Sequence, residues 1–191
     1  MGELPEKKRP EEVDARIIER YGVDVSRWVR ARRKKAGLAN VQYIRFRRFF
    51  VLLATQGQHE FYKANAGQVR NVKEKPIAFA GYSIGYHRGF DGTWHVSVRI
   101  HPERYRDVKA RFMDLATKRT VGELTSEFSK LPFEPYAPVI RQLFNLLRAV
   151  NRARAVAGLE VVPVTALRLK RRIVFPFGRP EEATQEEDVA A

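Results

Sequence analysis

The fold of this chain is indicated most clearly by residues 76–101, which read PIAFAGYSIGYHRGFDGTWHVSVRIH. Two runs rich in aromatic and β-branched residues flank the segment RGFDG at 88–92, which predicts a β-hairpin with its tip at that segment. Apolar and polar residues alternate along the second run, so a strand would place them on opposite faces. The apolar face would hold Trp94, Val96, Val98 and Ile100, and the polar face His95, Ser97, Arg99 and His101. We therefore expect an antiparallel sheet with the apolar face toward the core.

The polar face of this hairpin is the one part of the sequence that resembles an enzyme site. Two histidines beside a phosphodiester could act as general base and general acid, with an arginine stabilising the transition state. His95 and His101 are six residues apart, about 20 Å along a strand, whereas His87 and His95 could be cross-strand neighbours. The catalytic candidates are His87, Asp91, His95, Arg99 and His101. A phosphodiester-cleaving nuclease or strand-transfer enzyme is thus one alternative.

Helical patterns surround the predicted hairpin. They cover residues 11–20, 26–37, 59–64, 102–118, 120–131 and 138–157, and further strands are predicted at 40–55 and 165–177. This order predicts the α+β class, with a mostly antiparallel sheet that includes the central hairpin, helices packed on one face, and a long C-terminal helix. The predicted organisation is a charged N-terminal lead and short helix at 1–22, a basic α+β domain at 23–178 and an acidic disordered tail at 179–191.

The charge of the chain is its strongest functional signal. The 191 residues include 36 Lys and Arg against 22 Asp and Glu, a net charge of +14 with a pI near 10.4. Residues 20–180 hold 32 of the bases and 11 of the acids. Such an excess repels itself unless a polyanion relieves it, and nucleic acid is the commonest polyanionic partner. The alternative is a basic surface built from charged networks, as in thermophilic proteins.

Four segments place arginines on one face, and arginine suits phosphate geometry better than lysine does. They are the helix at 27–35, where Trp28 and Val29 are the large apolar residues, the strand at 43–48, the helix at 141–152 and the strand at 168–172. The predicted contacts are Arg27, Arg30, Arg32, Arg33, Lys34, Lys35, Tyr43, Arg45, Arg47, Arg88, Phe90, Arg99, Arg141, Arg148, Arg152, Arg168, Lys170 and Arg172. Aromatic rings beside these charges favour RNA or single-stranded, structured nucleic acid, with DNA as the alternative.

Other classes of function lack their signals. The chain has no cysteine, and it has no Walker loop, GxGxxG turn, HExxH or GxSxG motif. The longest apolar run is far shorter than the ~20 residues that span a bilayer, so we expect a cytoplasmic protein with no membrane partner. We predict neither a metal nor a cofactor. An accessory protein of a nucleoprotein assembly or mobile element would fit the composition, as would a module that binds an acidic protein.

Overall fold

The computed structural model describes residues 1–170 of the chain. The chain divides into two compact units, residues 1–70 and residues 71–191. The boundary falls inside the predicted 23–178 domain. The class is α+β, as predicted, with two small antiparallel sheets of three strands each and a long helix at 137–156. Within residues 1–170, no helix combines the length and apolarity needed to cross a membrane.

The first unit contains three strands and three helices. Their bounds are β1 Gly2–Glu3, α1 Pro10–Tyr21, α2 Arg27–Lys35, β2 Val41–Phe46, β3 Phe49–Ala54 and α3 Glu60–Ala64. The strands form an antiparallel sheet in the order β1-β3-β2. A small core of Tyr21, Val41 and Phe61 is buried in this unit. The two longer helices begin and end where the sequence predicts, since Gly22 ends α1 at φ 53° and the Ser26 hydroxyl caps α2.

The prediction of one long strand over residues 40–55 is wrong. The segment folds into the hairpin β2–β3, in which Phe46 pairs with Phe49. Between them Arg47 adopts φ 56°, the left-handed conformation that a two-residue hairpin turn uses. The alternating first half and the apolar second half of the segment are therefore two neighbouring strands rather than two ends of one strand.

The second unit contains the predicted hairpin and the remaining helices. Its elements are β4 Ile77–Phe79, β5 Tyr82–Arg88, β6 Trp94–Ile100, α4 Pro102–Leu115, α5 Val121–Ser129, α6 Ala137–Val156 and a 3-10 turn at Val164–Ala166. The sheet is antiparallel in the order β4-β5-β6. The core of this unit is formed mainly by the helices, around Phe112, Leu124, Phe128, Leu146 and Val150. Thr120 and Glu123 form a capping box at the start of α5.

The hairpin β5–β6 has its loop at residues 89–93, one residue later than the predicted tip at 88–92, and the prediction of its faces is wrong in part. Trp94 and Val96 are exposed, whereas Ser97 is buried. The apolar face is covered by the helices only near Ile100, so its far half faces solvent. On the other face Pro76 packs closely over Gly85, which pairs with Ser97 in the strand register: a Cβ at Gly85 would lie 3.1 Å from the Pro76 ring.

The strand predicted at 165–177 is wrong over its described part. Residues 164–166 form a 3-10 turn, and residues 167–170 are not in a strand. Ala166 and Leu167 are buried in the helical core, so apolar residues that resemble part of a strand in the sequence serve the core instead. The rest of that predicted strand, and the predicted acidic tail at 179–191, lie outside the described residues.

Candidate nucleic-acid interface

Of the six cations on the basic helix α2, two form hydrogen bonds within the first unit and four are exposed at the surface. Arg30 donates to the Val23 carbonyl at 3.3 Å and Arg33 donates to the Gly22 carbonyl at 3.1 Å, so both hold α2 against the turn that follows α1. The other four predicted contacts on this helix are exposed: Arg27, Arg32, Lys34 and Lys35. No carboxylate within residues 1–170 forms an ion pair with these four.

Trp28 is a residue that the sequence-based list of contacts missed. Its side chain is 78% exposed. Arg32 and Lys35 follow it by four and seven residues, which puts all three on one face of the helix. A flat ring among free cations is suited to stack on a nucleic-acid base. The available signal was that α2 has no apolar stripe that a buried tryptophan could join.

Two predicted contacts on β2 are committed to folding instead. Asp14 of α1 accepts a hydrogen bond of 2.6 Å from the Tyr43 hydroxyl and one of 2.8 Å from Arg45 Nε. Burial, with this hydrogen bond, raises the pKa of Tyr43 to about 12. We therefore withdraw Tyr43 and Arg45 from the interface. Arg47 stays exposed at the hairpin turn, with its guanidinium 5.5 Å from the centre of the Phe46 ring.

The outer half of the β5–β6 hairpin, residues 86–96, forms what we call the hairpin arm. Its exposed apolar side chains include Tyr86, Trp94 and the fully exposed Phe90 at the tip. Arg88 Nε donates to the Gly92 carbonyl at 2.9 Å, which closes the loop beneath Phe90. Lys73 Nζ lies 4.3 Å from the centre of the Trp94 ring. The arm thus presents rings and cations together, which is the combination that single-stranded nucleic acids bind.

The histidine cluster on the arm is only partly assembled as predicted. His87 lies directly opposite His95 in the register of the two strands. The Thr93 hydroxyl donates to Asp91 at 2.6 Å and lies 2.6 Å from His95 Nε2. Because the hydroxyl proton is given to Asp91, the hydroxyl oxygen accepts the His95 N–H. Hydrogen bonds from Thr93, and then from His95, lower the pKa of Asp91 to about 2.

Two of the predicted catalytic candidates, Arg99 and His101, lie away from the histidine pair. Arg99 pairs with Ser83. It lies four residues beyond His95, about 13 Å along the strand. His101 donates its backbone N–H to Gly81, and its ring lies 3.9 Å from Glu103. The structure therefore brings together His87, Asp91 and His95, but not Arg99 or His101.

The long helix α6 carries a straight row of polar side chains. We call it the α6 row, and its members are Arg141, Asn145, Arg148 and Arg152. All four are exposed, and the other side of the helix buries Leu143, Leu147 and Val150. At 1.5 Å per residue the row is about 16 Å long. Within residues 1–170 its arginines form no ion pair with a carboxylate.

Four other cations of the second unit form ion pairs with carboxylates. Arg168 donates to the Phe133 carbonyl and to Glu134, each at 3.0 Å, so it fastens the 3-10 turn region to the helical core. Lys170 is exposed, and Arg172 lies outside the described residues. Three ion pairs lie on α4, on α5 and in the turn between them: Arg111 with Glu127, Lys118 with Asp114, and Arg119 with Glu123.

Comparison of the chain with models of protein families, with curated proteins and with solved structures finds no match. In the part of the chain that the structure describes, no group of three or more His, Asp or Glu side chains is arranged to hold a metal ion. Function must therefore be inferred from the geometry of the charged and aromatic side chains.

Proposed function

We propose that this protein binds nucleic acid, chiefly through the phosphate backbone. The α6 row is the observation that carries the proposal. Three arginines stand in line on a rigid helix, held in place by the buried side chains on its other face. They are exposed and repel one another, so a polyanion is the partner that their alignment suits.

The pairing of charges supports the same proposal. Surface arginines that face carboxylates have their charge compensated inside the protein, so they release few counterions on binding. Three of the paired cations, Arg111, Lys118 and Arg119, lie on α4 and in the turn between α4 and α5. The α6 row and the exposed cations of α2 have no such partners in residues 1–170.

RNA or single-stranded, structured nucleic acid is the target that the exposed rings favour. Trp28 shares a face of α2 with exposed cations, Trp94 lies beside Lys73, and Phe90 is exposed at the tip of the hairpin arm. Exposed rings of this kind can stack on unpaired bases. Phosphate contacts and stacking need no fixed base sequence, so we expect weak sequence preference. Such binding suits an accessory protein within a larger nucleoprotein assembly.

The test is the salt dependence of binding to a single-stranded oligonucleotide, measured by fluorescence anisotropy. The logarithm of the binding constant falls linearly with the logarithm of the salt concentration. Each lost phosphate contact makes this slope less steep by about 0.7 for a single strand and about 0.9 for a duplex. The double variant Arg148→Gln, Arg152→Gln should therefore lower the slope by about 1.4–1.8. Between 50 and 200 mM salt the wild type should lose about 7- to 12-fold more affinity than this variant.

The matched control is Arg111→Gln, Arg119→Gln. It also removes two positive charges, but from exposed arginines that form ion pairs with Glu127 and Glu123. We expect a slope close to that of the wild type, because these charges are already compensated. Equal slopes for the two double variants, or a flat salt response of the wild type, would rule out the α6 row as the phosphate-binding surface.

A phosphodiester-cleaving enzyme is the second candidate, supported by the register pairing of His87 with His95. Labelled RNA and DNA incubated with the protein, with and without a chelator, would detect it. Turnover that is lost in His95→Ala but kept in Arg148→Ala would favour the enzyme. A basic module for an acidic protein is disfavoured if nucleic acid co-purifies, which a raised ratio of absorbance at 260 and 280 nm reveals.

A further inference from the structure

A cleft of about 400 Å³ opens between the base of the hairpin and the first half of α4 in the second unit. We call it the α4 cleft. Its polar lining comes from three kinds of element: β5 and β6, α4, and α6. The residues that matter are Ser83, Arg99, Tyr105, Arg106, Lys109 and Gln142. The predicted contact Arg99 is thus part of a concave site rather than of the histidine pair.

The charge of the α4 cleft is entirely positive. Arg99, Arg106 and Lys109 line it, and no Asp or Glu does. No carboxylate within residues 1–170 forms an ion pair with any of the three. Arg106 and Lys109 are three residues apart on one helix face, where like charges destabilise the helix. Folding alone gives no reason to collect these cations.

A neighbouring cleft on α4 provides an internal comparison. It has a similar volume, about 410 Å³, and its lining includes Arg104 and also the carboxylates Glu103 and Asp107. The two clefts use different faces of the same helix. Residues 103, 104 and 107 lie on one side of the helix axis, and residues 105, 106 and 109 lie on the other side. Of these two clefts, the α4 cleft is the one whose cations have no carboxylate in the lining.

The walls of the α4 cleft are held in place. The Gln142 side-chain amide accepts the Ile100 N–H at 2.8 Å and donates to the Ile100 carbonyl at 3.2 Å. The Tyr105 hydroxyl donates to the Gln142 carbonyl at 3.2 Å, and burial raises the pKa of this phenol. Arg99 Nε donates to the buried Ser97 hydroxyl at 3.3 Å, which leaves the outer guanidinium nitrogens of Arg99 for a ligand.

We propose that the α4 cleft binds a phosphate monoester, which in the proposed function is the terminal phosphate of a nucleic-acid strand. A monoester carries about −1.5 to −2 charges at neutral pH, against one for a backbone phosphodiester, so it matches three converging cations better. The cleft volume exceeds that of a bare phosphate and lies within the ~300–1,000 Å³ range of small-molecule sites, so a terminal nucleotide fits. The site rests on the proposed function only for the source of the monoester.

The experiment compares single-stranded oligonucleotides of one sequence that end in a 5′-phosphate, a 3′-phosphate or hydroxyls at both ends. The wild type should bind one phosphorylated form about tenfold more tightly than the hydroxyl form. The cleft variant Arg106→Gln, Lys109→Gln changes two exposed side chains and should lose this ratio while still binding the hydroxyl form. The variant Arg148→Gln, Arg152→Gln should weaken all forms and keep the ratio.

A ratio near one in the wild type, with binding otherwise intact, overturns the cleft proposal and leaves the proposed function standing. If no oligonucleotide binds, the proposed function fails, and a titration with a nucleoside 5′-monophosphate then decides the cleft. NMR shifts of the Ser83 and Gln142 amides, two lining residues that the cleft variant keeps, would support a site for a free phosphate monoester if they vanish in that variant. No shifts, or equal shifts in the cleft variant, would overturn it.

Discussion

Replacing Arg154 of α6 with Met should destabilise the second unit. This arginine is buried, with only 3% of its surface exposed. Its Nε donates to the Glu160 carbonyl at 2.5 Å, and its Nη1 donates to the carbonyls of Ala116 and Arg119 at 2.6 and 2.8 Å. Ala116 and Arg119 follow the last turn of α4, where a cation is favoured by the free carbonyls and the helix dipole.

The magnitude follows from the environment of each hydrogen bond. The bond to Ala116 is buried, and leaving that carbonyl unpaired costs about 1–3 kcal/mol. The bonds to Glu160 and Arg119 are part-buried, and each contributes about 0.5–1.5 kcal/mol because water can replace the donor. The expected loss in free energy of unfolding is therefore about 2–6 kcal/mol. That is a large share of the ~5–15 kcal/mol that holds a typical domain folded.

Urea unfolding followed by far-UV circular dichroism measures this loss, because the long helices lie in the second unit. Arg152→Met is the matched control, since it makes the same substitution two residues earlier at an exposed position of α6. Arg and Met have similar helix propensities, so the control should change the free energy of unfolding by less than about 0.5 kcal/mol. A loss below about 1 kcal/mol in Arg154→Met would refute the idea that these three carbonyl contacts hold the helix ends together.

Two pH titrations test the contacts that involve Asp14 and Thr93. Burial and the hydrogen bond to Asp14 raise the pKa of Tyr43 to about 12, so stability should fall as the pH rises from about 10 through 12. Asp14→Asn should lower that pKa. The pKa is measured from the phenolate absorbance, and the Tyr43 signal is identified by its loss in Tyr43→Phe. An unchanged titration midpoint of Tyr43 in Asp14→Asn would contradict the contact. Thr93 holds the pKa of Asp91 at about 2, so the resulting stabilisation is lost only as the pH falls from about 4 through 2. Thr93→Val should raise the titration midpoint of Asp91, followed by carboxyl-carbon NMR, toward its ordinary value; a midpoint that stays near 2 would show that Thr93 is not the cause.

Local signals predicted most of the secondary structure. The end of α1 at Gly22, the Ser26 cap of α2 and the capping box of Thr120 with Glu123 each depend on hydrogen bonds between residues a few positions apart. The errors arose where a local pattern has two solutions. The strand-forming residues of segment 40–55 fit one long strand as well as two short ones. The turn at Arg47 carries no glycine or asparagine that would mark it in the sequence.

The candidate interface was predictable where one helix supplies all of its members. The α6 row follows from a spacing of three and four residues and from the apolar face opposite, both of which are readable in sequence. Arg45 shows where that reasoning ends. Its position on β2 resembles that of a free surface arginine, yet its charge is neutralised by Asp14, 31 residues away in the chain.

The sequence alone determined the excess of cations, the helices with their caps, the hairpin and the row on α6, because each depends on composition or on residues close together in the chain. Tertiary structure decided which cations are free. It buried Arg154 against the carbonyls that follow α4, exposed Trp94, and gathered Ser83, Arg99 and Lys109 into one cleft. Burial and pairing of charge depend on which surfaces meet after the elements form, and spacing along the chain does not contain that information.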